Sequence, residues 1–325
     1  MNKLHTITAE DLQNRTYEPT PFLVDELIPE GLHILAGAPK IGKSWLALWL
    51  CLCVAQGQAL WNFATTQGEV LYLSLEDSLQ RIQTRLFDLT EDAPSTLHFA
   101  IMADTLKHGL EQQIEQFLTE HPDTKLVVID TLQRVRNSGN DSNLYANDYQ
   151  DIGLLKKLAD KRHIAILLIH HLRKLHDDDP MNMISGSTGL SGAADSAFVM
   201  TRDRRVDDTT KLSVTGRDLE EFELALRLDK TQCRWQNLGD AEARAREQAR
   251  KEYENSALVQ TIRKLVERNH GQWSGTAKEI LEAGKLLTRR FIAENPRALT
   301  KQLNDLEGQL MEVDGIEFRR AKNGS

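Results

Sequence analysis

Eight consecutive residues, 37–44, have the spacing GxxxxGK[ST] of a phosphate-binding loop, between an apolar segment and an apolar helical pattern. The glycines let successive backbone N–H groups approach phosphate oxygens at the positive end of that helix. Lys43 is expected to neutralise the β- and γ-phosphates, and the Ser44 hydroxyl to hold Mg²⁺. The candidate nucleotide-binding residues are Gly37, Ala38, Pro39, Lys40, Ile41, Gly42, Lys43, Ser44 and Trp45.

Two carboxylates follow apolar segments in the pattern of strand ends. Asp130 closes the segment 126–130, and a carboxylate at such a strand end holds Mg²⁺ in proteins with this loop. Glu76 follows the segment 68–75, where a carboxylate near the γ-phosphate can activate or position water. Asp77, with Ser78, is interpreted as a cap of the next helix. The sequence therefore predicts Asp130 as a metal ligand and Glu76 as a catalytic base.

The elements that must position these residues alternate along the chain. Short apolar strands separated by helices are typical of a mostly parallel sheet covered on both faces, which is an α/β fold. Segments 211–215 and 222–228 are predicted as a β-hairpin that closes this sheet. The first thirty residues contain three prolines and are expected to be extended. The other predicted strands are 32–36, 70–75, 97–102, 126–130 and 164–169, and the helices are 43–56, 78–89, 109–120 and 149–161.

Composition excludes several classes of protein. With 40% hydrophobic and 27% charged residues, the chain matches a globular protein rather than a disordered, fibrous or membrane-embedded one. The longest apolar stretch, 45–55, is too short to cross a bilayer, and no signal-peptide core is visible, so we expect a cytoplasmic protein without membrane contact. The three cysteines have no CxxC or histidine spacing that would indicate a disulfide framework or a zinc site. A net charge of −8 argues against a uniformly basic nucleic-acid coat.

The length of 325 residues predicts two domains. We assign residues 1–21 to an N-terminal extension, 22–239 to the nucleotide-binding domain, 240–255 to a charged helical linker and 256–325 to a small second domain. The second domain shows helical patterns at 257–269, 276–283 and 296–306, followed by strand candidates 310–313 and 316–319. Because Asp314-Gly315 between two apolar segments favours a hairpin turn, this domain is predicted to be winged-helix-like.

The motifs together resemble those of the RecA-like P-loop ATPases, specifically the branch of RepA-type replicative helicases, with KaiC and DnaB as more distant relatives. The resemblance covers residues 22–228 and rests on the segments GAPKIGKS, YLSLED, VVIDTLQR and AILLIHHLRK. It implies a RecA-like core that binds ATP through residues 37–44 and Mg²⁺ through Ser44 and Asp130, with Glu76 activating water. It also implies a helicase or translocase that acts in DNA replication of a plasmid, phage or other mobile element.

The same resemblance implies two further catalytic groups. A polar sensor ends the strand after Asp130, where His170 and His171 stand on opposite faces, and His170 is preferred. A neighbouring subunit's arginine completes the site in a ring or filament, and Arg217 matches the position of that finger in DnaB-like members. RepA-type members carry the arginine earlier in the chain, so Arg202, Arg204 and Arg205 stay open as alternatives.

Single-stranded DNA is expected to contact two loops and the second domain. The loops 134–148 and 172–192 supply Arg134, Arg136, Arg173 and Lys174, although Asp177, Asp178 and Asp179 would repel DNA there. Arg297 and Lys301 lie in the last helical pattern of the second domain. The implied partners are identical subunits, for example in a hexameric ring, single-stranded DNA, and a primase or replication initiator. An ATP-switched DNA-binding regulator is the alternative function, and a small-molecule kinase is less favoured because no arginine-rich lid is visible.

Overall fold

A computed structural model describes residues 4, 6–17, 19–136, 144–173, 177, 179–184, 188–202 and 208–319. The chain divides into two compact units, Met1–Ala241 and Glu242–Ser325. Among the described residues, no helix has the length and apolar character that crossing a bilayer requires.

The first unit is built on a nine-stranded sheet with the order β11-β10-β9-β8-β3-β7-β6-β4-β5 among the described residues. The six strands from β8 to β5 are parallel, and β9, β10 and β11 continue the sheet in antiparallel fashion. A separate ribbon pairs β1 with β2. The strands are β1 Phe22–Val24, β2 Ile28–Pro29, β3 Gly31–Gly37, β4 Glu69–Ser74, β5 Leu97–Ala100, β6 Thr124–Asp130, β7 Ala165–His171, β8 Ser196–Thr201, β9 Thr209–Gly216, β10 Phe222–Asp229 and β11 Arg234–Asp240. The predicted α/β fold with a mostly parallel sheet is confirmed.

Helices cover both faces of this sheet, and each face has its own apolar core. The buried helix α2 packs with Leu35, Tyr72 and Ile169 on one face. On the other face, Ala36, Ile129 and Leu168 pack with α4 and α6. The first unit contains α1 Ala9–Gln13, α2 Lys43–Gln56, α3 Leu79–Leu89, α4 Leu110–Glu120, α5 Leu132–Val135, α6 Leu144–Arg162, a 3₁₀ helix Pro180–Met183 and α7 Thr188–Ala193.

Two elements of the first unit differ from the sequence prediction. The N-terminal segment is not wholly extended, because Thr8 caps the short helix α1 by accepting the N–H of Asp11 at 3.1 Å. The sheet does not close with a hairpin, since β11 adds a further antiparallel strand beside β10. Burial of the Trp235 side chain, which is 1% exposed, stabilises that strand.

The second unit is helical in the described residues, with α8 Ala241–Asn255 leading into α9 Ala257–Arg268, α10 Ala277–Leu287 and α11 Pro296–Asp314. The predicted linker helix is not solvated throughout, because Tyr253 is buried in the core of this unit. Its hydroxyl donates to Asp314 Oδ2 at 2.6 Å, and Arg263 Nε donates to the same oxygen at 2.8 Å. These contacts tie the end of α8 and the middle of α9 to the end of α11.

The predicted wing hairpin is wrong over the described residues. Residues 310–313 belong to α11, and Gly315 caps that helix in the left-handed conformation with φ 66°. Leu299, Leu303 and Leu310 face the core at helical spacing, and burying them rewards continuation of the helix. Asp-Gly serves equally well at a helix end and in a hairpin turn, because glycine tolerates positive φ in both. The winged-helix-like architecture is therefore corrected to a helical unit.

Candidate functional site

Four parallel strands place polar residues at one edge of the sheet, which we call the carboxyl edge. Gly37 ends β3 and pairs with His171 at the end of β7. Asp130 ends β6 and pairs with Ser74 at the end of β4. Chain reversals at the carboxyl ends of parallel strands are where open α/β sheets bind ligands. The sequence-predicted loop, Asp130 and Glu76 therefore lie along the same edge.

The glycine-rich loop connects β3 to α2 with a sharp backbone turn. Gly42 has φ 108°, a left-handed conformation that favours glycine, and α2 begins at Lys43. The Lys43 ammonium is buried and donates to the carbonyl oxygens of Gly37 and Ala38 at 2.8 and 3.1 Å. Burial lowers the pKa of Lys43, and the charges of Asp130 and Glu76 oppose this effect. The loop thus holds a lysine with donors directed at its own carbonyls, which phosphate oxygens can replace.

Trp235 supports this loop from below, and sequence reasoning did not identify it. Its indole Nε1 donates to the Gly42 carbonyl at 3.2 Å, and a Cβ on Gly42 would lie 2.7 Å from Trp235 Cζ2. The Trp235 carbonyl in turn accepts the indole N–H of Trp61 at 2.6 Å. The signal available in the sequence was a large aromatic residue at an alternating position after the predicted hairpin.

Asp130 is a buried carboxylate held by two hydroxyl groups. Tyr72 Oη donates to Asp130 Oδ2 at 2.8 Å, and the Ser44 hydroxyl also hydrogen-bonds this carboxylate. Burial raises the pKa of Asp130, while the bonds from Ser44 and Tyr72 oppose the increase. Burial also raises the pKa of Tyr72 well above its usual value, so Tyr72 keeps its proton and donates it to Asp130. The structure brings together the two residues predicted to bind the metal ion.

Glu76 lies beside Asp130 in a different environment. Its side chain is 43% exposed, accepts the Thr131 hydroxyl at 3.1 Å, and has Oε1 3.6 Å from Arg134 Nε. Asp77 does not cap α3, because Ser78 is the N-cap residue. Asp77 instead pairs with Arg81 at 2.7 Å and with Arg85 at 2.5 Å. Glu76 is thus the accessible carboxylate at this strand end.

The two histidines at the end of β7 lie on opposite faces. His170 follows Ala36 and Leu168 on the face packed against α4 and α6, and it is 2% exposed. His171 follows Leu167 and Ile169 on the face of α2 and the glycine-rich loop. Its Nδ1 is buried and makes no hydrogen bond to the residues that the structure describes. The geometry favours His171, rather than the preferred His170, as the group facing the phosphate site.

Arg217 lies at the opposite edge of the sheet, which we call the amino edge. It follows β9, whose Gly216 pairs with Ser196 at the start of β8. Its guanidinium is 61% exposed, donates to the Gly192 carbonyl at 3.1 Å and lies 3.8 Å from Asp195. Arg217 is therefore not part of the phosphate site of its own chain.

Of the alternative arginines, Arg202 follows β8 at the carboxyl edge and donates to Thr210 Oγ1 at 2.9 and 3.0 Å. Arg204 and Arg205 lie outside the described residues. Arg202 is thus closer to the glycine-rich loop than Arg217 is, since β8 adjoins β3.

The sequence pattern of the AAA domain matches residues 2–177, which is more than half of the chain. The chain belongs to the AAA domain family. Among solved structures, it is similar to the ATPase domain of a phage helicase, with a TM-score of 0.54 and 16% sequence identity. This similarity covers 65% of the present chain and 85% of that chain, and at this identity it shows the fold alone. None of the curated proteins matches the chain. Together with the sheet topology, these findings identify a RecA-like P-loop ATPase.

The residues of this AAA domain fit ATP and Mg²⁺. A Cβ on Gly37 would lie 3.0 Å from Ile41 Cγ2 and 3.2 Å from the Met200 carbonyl, so the backbone of the loop occupies space that only glycine leaves open. Ser44 and Asp130 supply hydroxyl and carboxylate oxygens, which are the ligands that Mg²⁺ prefers. Bound Mg²⁺ would neutralise charge on the β- and γ-phosphates.

The residues predicted to bind DNA are distributed over both units. In the AAA domain, Arg134 lies next to Glu76, Arg136 caps the end of α5, and Arg173 lies 3.5 Å from Asp177. Lys174 lies outside the described residues. In the second unit, Arg297 and Lys301 are exposed on the first turns of α11 and four residues apart, which places them on one face. Only Arg134 is joined to the phosphate site by a contact that the structure shows.

Proposed function

We propose that this chain is an oligomeric, ATP-hydrolysing motor that translocates along or unwinds DNA, and that it acts in replication of a plasmid, phage or other mobile element. In this proposal Lys43 and the backbone of residues 37–44 bind the phosphates of ATP, and Ser44 and Asp130 hold Mg²⁺. Glu76 accepts the proton of the attacking water, and His171 or His170 reports the state of the γ-phosphate. Trp45, at the first turn of α2, lies beside the nucleotide. A neighbouring subunit supplies Arg217 or Arg202.

The contact between Glu76 and Arg134 carries this proposal. A proton acceptor must have a free carboxylate oxygen, but Glu76 Oε1 lies 3.6 Å from Arg134 Nε, and both side chains are about half exposed. DNA phosphates attract arginine strongly, so a bound strand competes with Glu76 for Arg134. Removing that positive charge makes the Glu76 carboxylate a better proton acceptor. The pair thus supplies a physical route by which DNA stimulates hydrolysis.

Steady-state ATP hydrolysis across a range of protein concentrations, with and without single-stranded DNA, tests the function. A steep rise with concentration that DNA amplifies is expected for shared sites in an assembled motor. Lys43→Ala should abolish turnover in all conditions, since the ammonium that neutralises the phosphates is lost. Slow turnover that is indifferent to DNA would instead support the ATP-switched regulator.

The Arg134 contact predicts a specific signature within this assay. Arg134→Ala should raise basal hydrolysis and remove most of the DNA stimulation, because Glu76 is then released permanently. Arg227→Ala is the matched control, since Arg227 is exposed on β10, far from the carboxyl edge, and donates to Gln236. Full DNA stimulation in Arg134→Ala would contradict the proposed route.

Mixed oligomers test the arginine that acts between subunits. Mixing Arg217→Ala subunits with Glu76→Ala subunits should restore partial activity if Arg217 completes a neighbour's site. The same mixture with Arg202→Ala tests the alternative. Failure of both mixtures to recover activity, in oligomers shown to form, would contradict a shared site.

A further inference from the structure

A second cluster of ligand-type side chains lies away from the phosphate site, at the amino ends of β4 and β5. Glu69 is the first residue of β4, and His98 lies in β5 opposite Leu71. Because side chains alternate along a strand, Glu69 shares the face of Leu71 and His98. His121 caps the carboxyl end of α4, which packs on this face. Three separate elements therefore deliver one carboxylate and two imidazoles to one place.

The donor atoms of these side chains lie close together. His121 Nδ1 is 2.6 Å from Glu69 Oε2, and His98 Nε2 is 3.5 Å from the same oxygen. One ligand atom from each residue lies within 4.8 Å of those of the other two. His98 Nε2 is buried and makes no hydrogen bond within the part of the chain that the structure describes. A buried imidazole nitrogen of this kind is a lone pair without a use in the fold.

We propose that Glu69, His98 and His121 form a binding site for one Zn²⁺ ion, or a similar transition-metal ion. Zinc takes imidazole nitrogen and carboxylate oxygen at about 2.0–2.2 Å, which in tetrahedral geometry separates the donor atoms by about 3.3 Å. The 3.5 Å pair already has this separation, and the 2.6 Å hydrogen bond opens by less than an ångström when the metal replaces its proton. Three protein ligands leave the fourth position to water.

Phe117 holds the two imidazole rings in this arrangement. Its ring stacks on His121 with centroids 4.3 Å apart, and His98 packs against it edge-on at 5.3 Å. The apolar ring lowers the local dielectric constant and restricts ring rotation, which strengthens metal binding. The bound ion would link the amino ends of β4 and β5 to α4. Because β4 carries Glu76 just beyond its other end, the ion would fix the base of the strand that positions this residue.

A second histidine–glutamate pair offers a natural control. His163 Nδ1 lies 3.2 Å from Glu30 Oε2, but its side chain is 79% exposed. Among the described residues, the metal-type cluster includes only Glu69, His98 and His121. A histidine next to a glutamate is therefore not sufficient, and the third ligand distinguishes the proposed site.

The test uses the full-length, untagged protein, stripped with EDTA and then freed of it, in a Cys233→Ser background that removes the most accessible cysteine. Zn²⁺ is titrated against a competing chromophoric chelator, and Co²⁺ absorption reports the coordination geometry. We expect one Zn²⁺ per chain, a tetrahedral Co²⁺ spectrum, and a melting temperature that rises with Zn²⁺. Glu69→Gln, His98→Phe and His121→Ala should each weaken binding at least about tenfold.

His163→Ala and Asp130→Asn are the matched controls, and both should bind Zn²⁺ like the parent protein. Equal binding by all the variants, or no stoichiometric binding by the parent, would overturn the proposal. If the ligand variants fail to fold, chemical modification of the parent by diethyl pyrocarbonate decides the question. Zn²⁺ should protect His98 and His121 but not His163, and unprotected His98 and His121 would overturn the site.

Discussion

The carboxyl and amino edges of the central sheet both carry buried charged groups, but they use them differently. At the carboxyl edge, Lys43 donates to carbonyls of its own loop, and Asp130 accepts only hydroxyl groups in the bonds that the structure shows. At the amino edge, Asp195 accepts the Leu32 N–H at 2.8 Å and pairs with Lys156 at 2.8 Å. The first edge holds charges ready to exchange partners with a ligand, whereas the second edge pairs them within the fold.

His33 shows how closely the amino edge is packed. Its Nε2 donates to the Pro29 carbonyl at 2.8 Å, and its Nδ1 accepts from Ser196 Oγ at 2.7 Å. A Cβ on Gly31 would lie 2.4 Å from Asp195 Oδ2, which explains the glycine at that turn. Groups with fixed partners stabilise a fold, and groups with replaceable partners perform chemistry. Substitutions at the two edges should therefore separate turnover from stability.

Asp130→Asn should give the largest effect, on turnover. The neutral amide cannot hold Mg²⁺ as the carboxylate does, so kcat for ATP hydrolysis should fall by at least about 10²-fold. The substitution removes a buried charge whose pKa burial already raises, so the urea midpoint should change little. Near-normal kcat would remove Asp130 from the site, and His33→Gln at the amino edge is the control that should keep its turnover.

Trp235→Ala should give the largest effect on stability. Removing a fully buried tryptophan costs about 3–5 kcal/mol, because a large cavity remains beneath the loop. ATP affinity should weaken as well, since the Gly42 carbonyl loses its indole donor. Trp235→Phe keeps most of the volume and should lose less of the free energy of unfolding. Equal unfolding free energies for the two variants, by urea denaturation, would show that the cavity is not the cause.

Sequence reasoning found the carboxyl edge because its residues lie in contiguous motifs. The loop 37–44, Asp130 and Glu76 each carry their spacing or their strand with them, and the order of strands and helices follows from apolar patterning. Trp235 and Tyr72 were missed because their roles depend on partners far along the chain, Gly42 and Asp130. Long-range partners of this kind are set by the folded sheet and leave no local pattern.

The amino edge was invisible to the sequence for the same reason. Asp195 and Leu32 are distant in sequence, as are Glu69, His98 and His121, and no motif spacing connects them. Two local ambiguities were also resolved by tertiary packing. The face of His171 follows from its strand register, and Asp314-Gly315 became a helix end because Leu310 is buried. Local signals fix element types, whereas packing decides between equally good local solutions.

The amino edge predicts a pH dependence of stability. Burial lowers the pKa of His33 to about 4, although the Pro29 carbonyl and Asp195 oppose this and Lys156 adds to it. The unfolded chain, with a histidine pKa near 6.5, therefore binds the proton first as the pH falls. The contribution of His33 to stability is full above about pH 6.5 and is lost on acidification towards pH 4, with about 2 kcal/mol gone by pH 5.

Urea midpoints of the first unit at pH 7 and pH 5 measure this effect. His33→Gln should be less stable than the parent at pH 7, and its midpoint should depend less on pH between these values. A parent and variant with parallel pH profiles would assign the acid sensitivity to other groups. His163→Gln, at an exposed histidine, is the matched control and should retain the parent's profile.

Tyr72→Phe should give the smallest effect and examines the carboxyl edge most finely. The phenol donates to Asp130 Oδ2 at 2.8 Å and opposes the rise that burial causes in the pKa of this carboxyl. Without that bond, about 1 kcal/mol of support for the ionised carboxylate is lost. The Mg²⁺ concentration for half-maximal hydrolysis should rise several-fold, and more at lower pH, because protonation competes better with the metal.

The phenyl ring retains the packing of Tyr72 against Phe99, whose centroid lies 5.8 Å away, so unfolding should change little. At saturating Mg²⁺, kcat should approach that of the parent, since only ionisation of Asp130 has been disturbed. A lower kcat that added Mg²⁺ does not restore would show that Tyr72 does more than hold the carboxylate. An unchanged Mg²⁺ dependence would mean that Asp130 is ionised without the phenol, and that the carboxyl edge does not depend on this bond to prepare its metal ligand.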